Sequence, residues 1–211
     1  MRAAAHIVSY ILHPLMMPTI IFALLLFHYP YLMVSNEYFK FALLIMIFLM
    51  TGVLPALCIF LMYKFRIISS LYLKNREERI YPFLMTLMIY FSASYFLYTE
   101  PLFDKLFSIT LIMITLAIIV LTIITRVWKI SAHAIGIGGL TGFVLRMNLV
   151  YKDDLFLQLL AVLVLFSGIV LSARIFLNAH TPNQAYAGYL LGVFMSFLSY
   201  PWAIMLANQY A

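Results

Sequence analysis

The sequence is short of charge and of sulfhydryl groups. Charged side chains make up 9% of its 211 residues, and cysteine occurs once. That thiol, Cys58, lies inside an apolar run, so disulfide frameworks and cysteine-based metal sites are excluded. Acidic residues number 7 against 13 Lys and Arg, leaving a net charge of +6. With polar connections this short, the excess fits anionic lipid or phosphorylated substrates, and nucleic acid is excluded as a partner. No cleavable signal peptide is expected, because one Arg2 precedes an apolar run that continues to about Met33. Internal repeats and low-complexity tracts are also missing.

What the chain has is hydrocarbon. It is 66% hydrophobic, with a mean hydropathy of +1.06. These values define a polytopic, all-α membrane protein, read as one domain over residues 1–211. Apolar runs predict seven spans near 7–32, 41–63, 80–98, 106–127, 132–150, 155–177 and 185–207, or six if the Gly-rich fifth does not cross. Pro14 and Pro18 are expected to bend the first span and Pro55 the second. Tyr29, Tyr31, Tyr63, Tyr81, Tyr98, Trp128 and Tyr151 gather near span ends, as an interfacial aromatic belt does. The one extended polar connection is residues 64–79.

Ala173 to Gln184 is the stretch around which the remainder is organised. Arg174 sits close to hydrocarbon depth, where an ionisable side chain costs roughly 2.5–3.5 kcal/mol at mid-bilayer. An inward-facing bound anion is the cheapest compensation. Parity puts connections 2–3, 4–5 and 6–7 on one side of the membrane. They carry Lys74, Arg76 and Arg79, then Lys129, Ser131 and His133, then Arg174 and His180. The opposite side offers mainly Glu37, Glu100, Asp104, Asp153 and Asp154. Lys129-Ile130-Ser131-Ala132-His133 opens the Gly-rich span, whose helix N-terminus favours phosphate. The glycines at 136–142 allow close helix approach, which draws His133 towards His180. A nucleophile, a proton donor and fixed cations are what phosphoryl transfer requires.

Ser131-Ala132-His133 and Arg174-x5-His180-x3-Gln184 resemble the second and third signature motifs of the type-2 phosphatidic acid phosphatase superfamily, Pro-Ser-Gly-His and Ser-Arg-x5-His-x3-Asp. The resemblance covers the last 85 or so residues and, loosely, residues 74–82, where Lys74, Arg79 and Pro82 stand for a Lys-x6-Arg-Pro motif. It implies a metal-independent lipid-phosphate phosphatase of the bacterial plasma membrane, with no cofactor. In that scheme His180 attacks phosphorus to form a phosphohistidine, and His133 protonates the leaving oxygen. Gln184 takes the place of the aspartate that orients the nucleophile. Phosphate would be held by Arg174, Ser131 and the Ala132 N–H, with Arg79, Lys74, Arg76 and Lys129 as further cations. The departures are Ile130 for Pro, Ala132 for Gly, Ala173 for Ser and Gln184 for Asp.

Several of these residues have plainer readings. Thr181-Pro182-Asn183-Gln184 also reads as a capping box. His6 and His13, seven apart on one helix face, read as interface anchors because no third metal ligand stands at a telling spacing. Arg126 and Arg146 read as snorkelling side chains. A non-catalytic lipid-phosphate binder or a lipid phosphotransferase are the alternatives, with a transporter last, since the ionisable groups cluster near one face rather than the midplane.

Overall fold

A computed structural model describes residues 2–28, 36–73 and 75–209, with 199–209 as backbone only. Among the described residues there is no strand. The chain folds as an all-α bundle of seven helical passes, six of them long and apolar enough to cross a membrane. The first pass is α1 (Arg2–Ile11), a 3₁₀ turn (Pro14–Met16) and α2 (Met17–His28). The second is α3 (Glu37–Phe48), a π segment (Leu49–Val53) and α4 (Leu54–Lys64). The others are single helices: α5 (Ile80–Thr99), α6 (Lys105–Thr125), α7 (Ala132–Tyr151), α8 (Asp154–Phe176) and α9 (Pro182–Gln209). Each expected span therefore has its helix. Lys74, Tyr29 and Tyr31 lie outside the described residues.

Both expected bends occur, and their chemistry is local. Pro14 opens the 3₁₀ turn that breaks the first pass. Pro55 has no N–H to give to the carbonyl of Thr51, four residues back. The π segment falls at that place, and the Tyr90 hydroxyl donates to Thr51 O at 2.8 Å, filling the vacancy from α5. The helix starts follow capping rules. Asn36, Asp104, Ser131 and Asp153 each accept a first-turn N–H with a side-chain oxygen.

The outer surface is apolar, as a lipid-solvated bundle requires: Leu157, Val164, Leu165 and Phe166 of α8 are exposed. Polar hydroxyls inside the helices (Ser94, Thr115, Thr125, Thr141) turn back onto carbonyls four residues earlier, so they are satisfied without water.

The closest contact in the bundle is between α7 and α9. It is made by two small-residue pairs, Gly138/Gly142 on α7 and Gly188/Gly192 on α9. A Cβ built on Gly138 would stand 2.3 Å from Tyr189 O, on Gly142 2.3 Å from Val193 O, and on Gly192 2.2 Å from Ile135 O. Backbone meets backbone here, and only glycine permits it. The same contact fixes the relative height of the connections that precede the two helices: Ser131 N–H donates to Gln184 O at 3.4 Å.

Gly192→Ala is expected to lower the Tm of the detergent-solubilised protein by an amount corresponding to about 1–3 kcal/mol or more, because a carbonyl in a packed helix cannot swing aside. Gly168→Ala, whose methyl meets nothing within 4 Å, serves as the neutral control. Equal Tm values for the two variants would contradict the close α7–α9 contact.

Candidate functional site

The backbone from Val127 to Ser131 is where the three motif regions meet. Three of its carbonyls each receive a side chain from another connection. Arg76 Nη1 donates to Val127 O at 2.7 Å, His180 Nδ1 to Lys129 O at 3.0 Å, and Arg79 Nη1 to Ile130 O at 3.5 Å. Arg79 Nε also donates to Leu73 O at 2.9 Å, holding the 64–79 connection over the site. Glu78 pins that connection from within, accepting from Ser69 and Asn75.

His180 reaches this position because α8 ends in a tight wrap. Asn178 adopts a left-handed conformation (φ 52°), and the N–H groups of Ala179 and His180 both turn back to Arg174 O. The five residues between arginine and histidine are thus one helix termination, which brings both side chains to one wall. A carbonyl only accepts, so the Lys129 oxygen fixes the proton of the His180 ring on Nδ1 and leaves the Nε2 lone pair free.

His133, in the first turn of α7, is held in the mirror sense. Its Nε2 lies 3.1 Å from Ser9 O, a carbonyl of α1, so Nε2 carries the proton and Nδ1 is the free nitrogen. Ser9 also accepts Arg174 Nη1 on its hydroxyl at 3.3 Å while donating to Ala5 O at 2.9 Å. His13 packs its ring edge-to-face on His133, centroids 5.2 Å apart.

These groups surround a cavity of about 950 Å³. Arg79, Lys129, His133, Arg174 and His180 line its polar end, with Arg2, His6, Ser9 and His13 from the N-terminal pass. No carboxylate lines it. The one salt bridge found among the described residues, Lys40 to Glu37, is at the opposite membrane face. Arg174 Nε is buried without a partner. Guanidinium and ammonium groups without a carboxylate partner, one with an unfilled donor, are groups whose chemistry suits an anion. From there the wall becomes apolar, passing Leu121, Ile118, Ile114 and Thr110 down α6, roughly 16 Å at 1.5 Å per residue, with Phe143 and Tyr90 facing them.

Four expected residues have other roles. Gln184 does not hold His180: its Oε1 accepts Thr181 N–H at 3.1 Å, and Thr181 Oγ1 receives Gln184 N–H at 3.4 Å, a reciprocal capping box that starts α9. Backbone carbonyl replaces the expected side chain as the orienting group. Ser131 is fully buried as the N-cap of α7, accepting Ala134 N–H at 3.3 Å, and does not line the cavity, whereas its neighbour Ala132 does. Arg76 braces Val127 from the exposed side and is likewise absent from the wall. Arg146 is partly buried, its guanidinium 5.4 Å from the centre of the Phe197 ring and its Nε buried. Conversely, His6 and His13, expected as anchors, face the cavity, and Ser9 was not expected at all. The one sequence signal was the spacing of Arg2, His6, Ser9 and His13, an i, i+4, i+7, i+11 stripe along one helical face. No group of three His, Cys, Asp or Glu side chains among the described residues is arranged to hold a metal ion.

Burial first, then the Arg79 guanidinium, push the His180 imidazole down from its ordinary value of 6.5 to about 3, with Arg174 and Lys129 acting the same way and the Lys129 carbonyl opposing them. Lys129 is itself lowered by burial and then by Arg79 and Arg174. The ring is therefore neutral at physiological pH and available as a base or nucleophile.

Neither a protein-family model, nor a curated protein, nor a solved structure matches the chain significantly.

Because the folded state binds fewer protons than the unfolded chain, the neutral His180 ring contributes stability above its ordinary value of 6.5 that is lost as the pH falls from there towards about 3. His180→Asn supplies an amide N–H for the Lys129 carbonyl but gains no proton. Between about pH 7.5 and 5, the wild-type Tm should fall further than that of His180→Asn. Parallel slopes would mean that the ring is not buried in its neutral form.

Proposed function

We propose that this protein is an integral-membrane lipid-phosphate phosphatase working through a phosphohistidine at His180. The observation that carries the reading is an acid-free cationic chamber opening into an apolar channel, with two imidazoles oriented by carbonyls at its polar end. A phosphorylated amphiphile matches both halves. Its head group takes the place of the missing counter-ion of Arg79, Lys129 and Arg174, while its chain lies along α6. At about 950 Å³ the cavity is near the upper end of the range for small-molecule sites, so it has room for both.

In the first step the His180 Nε2 lone pair attacks phosphorus. The bond from phosphorus to the ester or anhydride oxygen breaks, and its electron pair leaves with that oxygen. His133, carrying a second proton on Nδ1 once the phosphate dianion is bound, gives that proton to the departing group while Ser9 O holds Nε2–H. Water then attacks phosphorus and gives a proton to His133 Nδ1, while the bond from phosphorus to His180 Nε2 breaks, its electron pair returns to that nitrogen, and phosphate is freed. Arg79, Arg174 and Lys129 neutralise the equatorial oxygens throughout. The type-2 phosphatidic acid phosphatase motifs point the same way, and with them the bacterial plasma membrane as location.

One observation favours a second reading, a non-catalytic binder of lipid phosphate. Both rings rest on neutral carbonyls, and a carbonyl stabilises an imidazolium less than a carboxylate does.

Purified protein without divalent metal, offered phosphatidate, phosphatidylglycerol phosphate, an isoprenyl pyrophosphate and a phosphorylated glycolipid, separates the two. The expected result is phosphate release from at least one, lost by 10³-fold or more in His180→Ala, with Arg174→Ala lowering both affinity and kcat. Gln184→Ala should lose about 1 kcal/mol of stability through its cap and leave turnover in place. Full activity in His180→Ala would remove the mechanism, and lipid-phosphate binding without release would establish the binder.

A further inference from the structure

The signature motifs leave the N-terminal helix out, yet its pass supplies Arg2, His6, Ser9 and His13 to the polar chamber. We infer that His13 is an anion-binding residue, a fixed neutral donor on the wall of the chamber that Arg79, His133 and Arg174 also line. The inference rests on the chamber being an anion site, as proposed above, and extends it to a pass of the bundle that no motif covers.

The argument is one of proton placement. The three imidazoles nearest Arg174 are each held at one nitrogen by backbone. His180 gives its Nδ1–H to Lys129 O, and His133 gives its Nε2–H to Ser9 O. Each then turns a lone pair to the interior, suited to attack or to proton exchange but not to ligating an anion while neutral. His13 is held the other way round. The backbone N–H of Leu15 donates to its Nδ1 at 3.3 Å, so that nitrogen accepts and the ring proton must lie on Nε2. A ring fixed by a backbone donor cannot take a second proton without losing that bond. His13 is therefore a donor at every working pH, which is what a phosphate oxygen requires and what a proton shuttle cannot use.

Its position is set by the fold. Pro14 follows immediately and begins the 3₁₀ turn, with His13 as N-cap. The break in the first pass thus points the imidazole sideways, off the α1 axis and against His133. Two groups of one residue lock α1 in this register: the Ser9 carbonyl on His133 and the Ser9 hydroxyl on Arg174. A helix that only filled space would not engage both motif histidine and motif arginine. The kink has a use here that sequence periodicity cannot show.

The experiment is anion binding to the full-length purified chain, using orthovanadate and inorganic phosphate as probes in isothermal titration, with ligand-free Tm measured in parallel. His13→Asn keeps an oxygen where Nδ1 accepts the Leu15 N–H, so the cap survives, but it has no N–H at the far end of the ring. It should bind both anions roughly 10- to 100-fold more weakly than wild type at unchanged ligand-free Tm. His13→Gln, whose longer amide returns an N–H near the Nε2 position, should recover most of that loss. Wild-type affinity in His13→Asn would reduce His13 to a helix cap and overturn the inference. So would equal weakening in both variants together with a lower Tm. If the wild type binds vanadate yet releases no phosphate from any lipid, hydrolysis falls and the His13 assignment stands. If the wild type binds neither anion, both fall.

Discussion

Everything at the polar end of this bundle depends on α7 and α9 meeting backbone to backbone. Four glycines bring the two helices so close that a single added methyl group would strike a carbonyl. In a membrane there is little hydrophobic force between helices, so van der Waals contact and close approach decide which pairs form. The contact does more than hold two helices together. It sets the Gln184 carbonyl on the Ser131 N–H, and with that the backbone of 127–131 lies within reach of His180.

That short segment then acts as a template. Carbonyls that no helix uses accept from Arg76, His180 and Arg79 in turn. Unpaired carbonyls near hydrocarbon are costly, and cationic or imidazole donors satisfy them best. The outcome is economical in residue types: no carboxylate lines the chamber, so its positive charge is not neutralised by the residues that line it. The His180 ring shares this field, which is why burial and the neighbouring guanidinium keep it neutral.

The N-terminal pass gives the site its asymmetry. Its kink at Leu12 to Met16 ends α1 at the chamber and starts α2 along the core, where Phe22 and Leu25 are fully buried. One helix thereby contributes both a polar wall and an apolar anchor. Ser9 joins Arg174 to His133, linking α8 and α7 through a third element. The chamber is consequently a product of three passes and three connections, none of which forms it alone.

The seven passes and their bends were legible in the sequence because lipid imposes one rule, that backbone polar groups be satisfied within helices, and long apolar runs with proline obey it visibly. The membrane face of the candidate residues was legible from parity, and the turn that returns His180 to Arg174 lay in their spacing. The orienting partners of the two histidines were not. They are backbone carbonyls, Lys129 O and Ser9 O, which every residue possesses and no sequence pattern marks. For the same reason Gln184 looked like a catalytic partner when its nearest donor was the N–H of its own helix start. Composition and order along the chain determined the bundle and the side on which its cations gather. Only the packed structure decided which nitrogen of each imidazole is free, because that choice is made by whichever carbonyl or N–H the neighbouring helix happens to present.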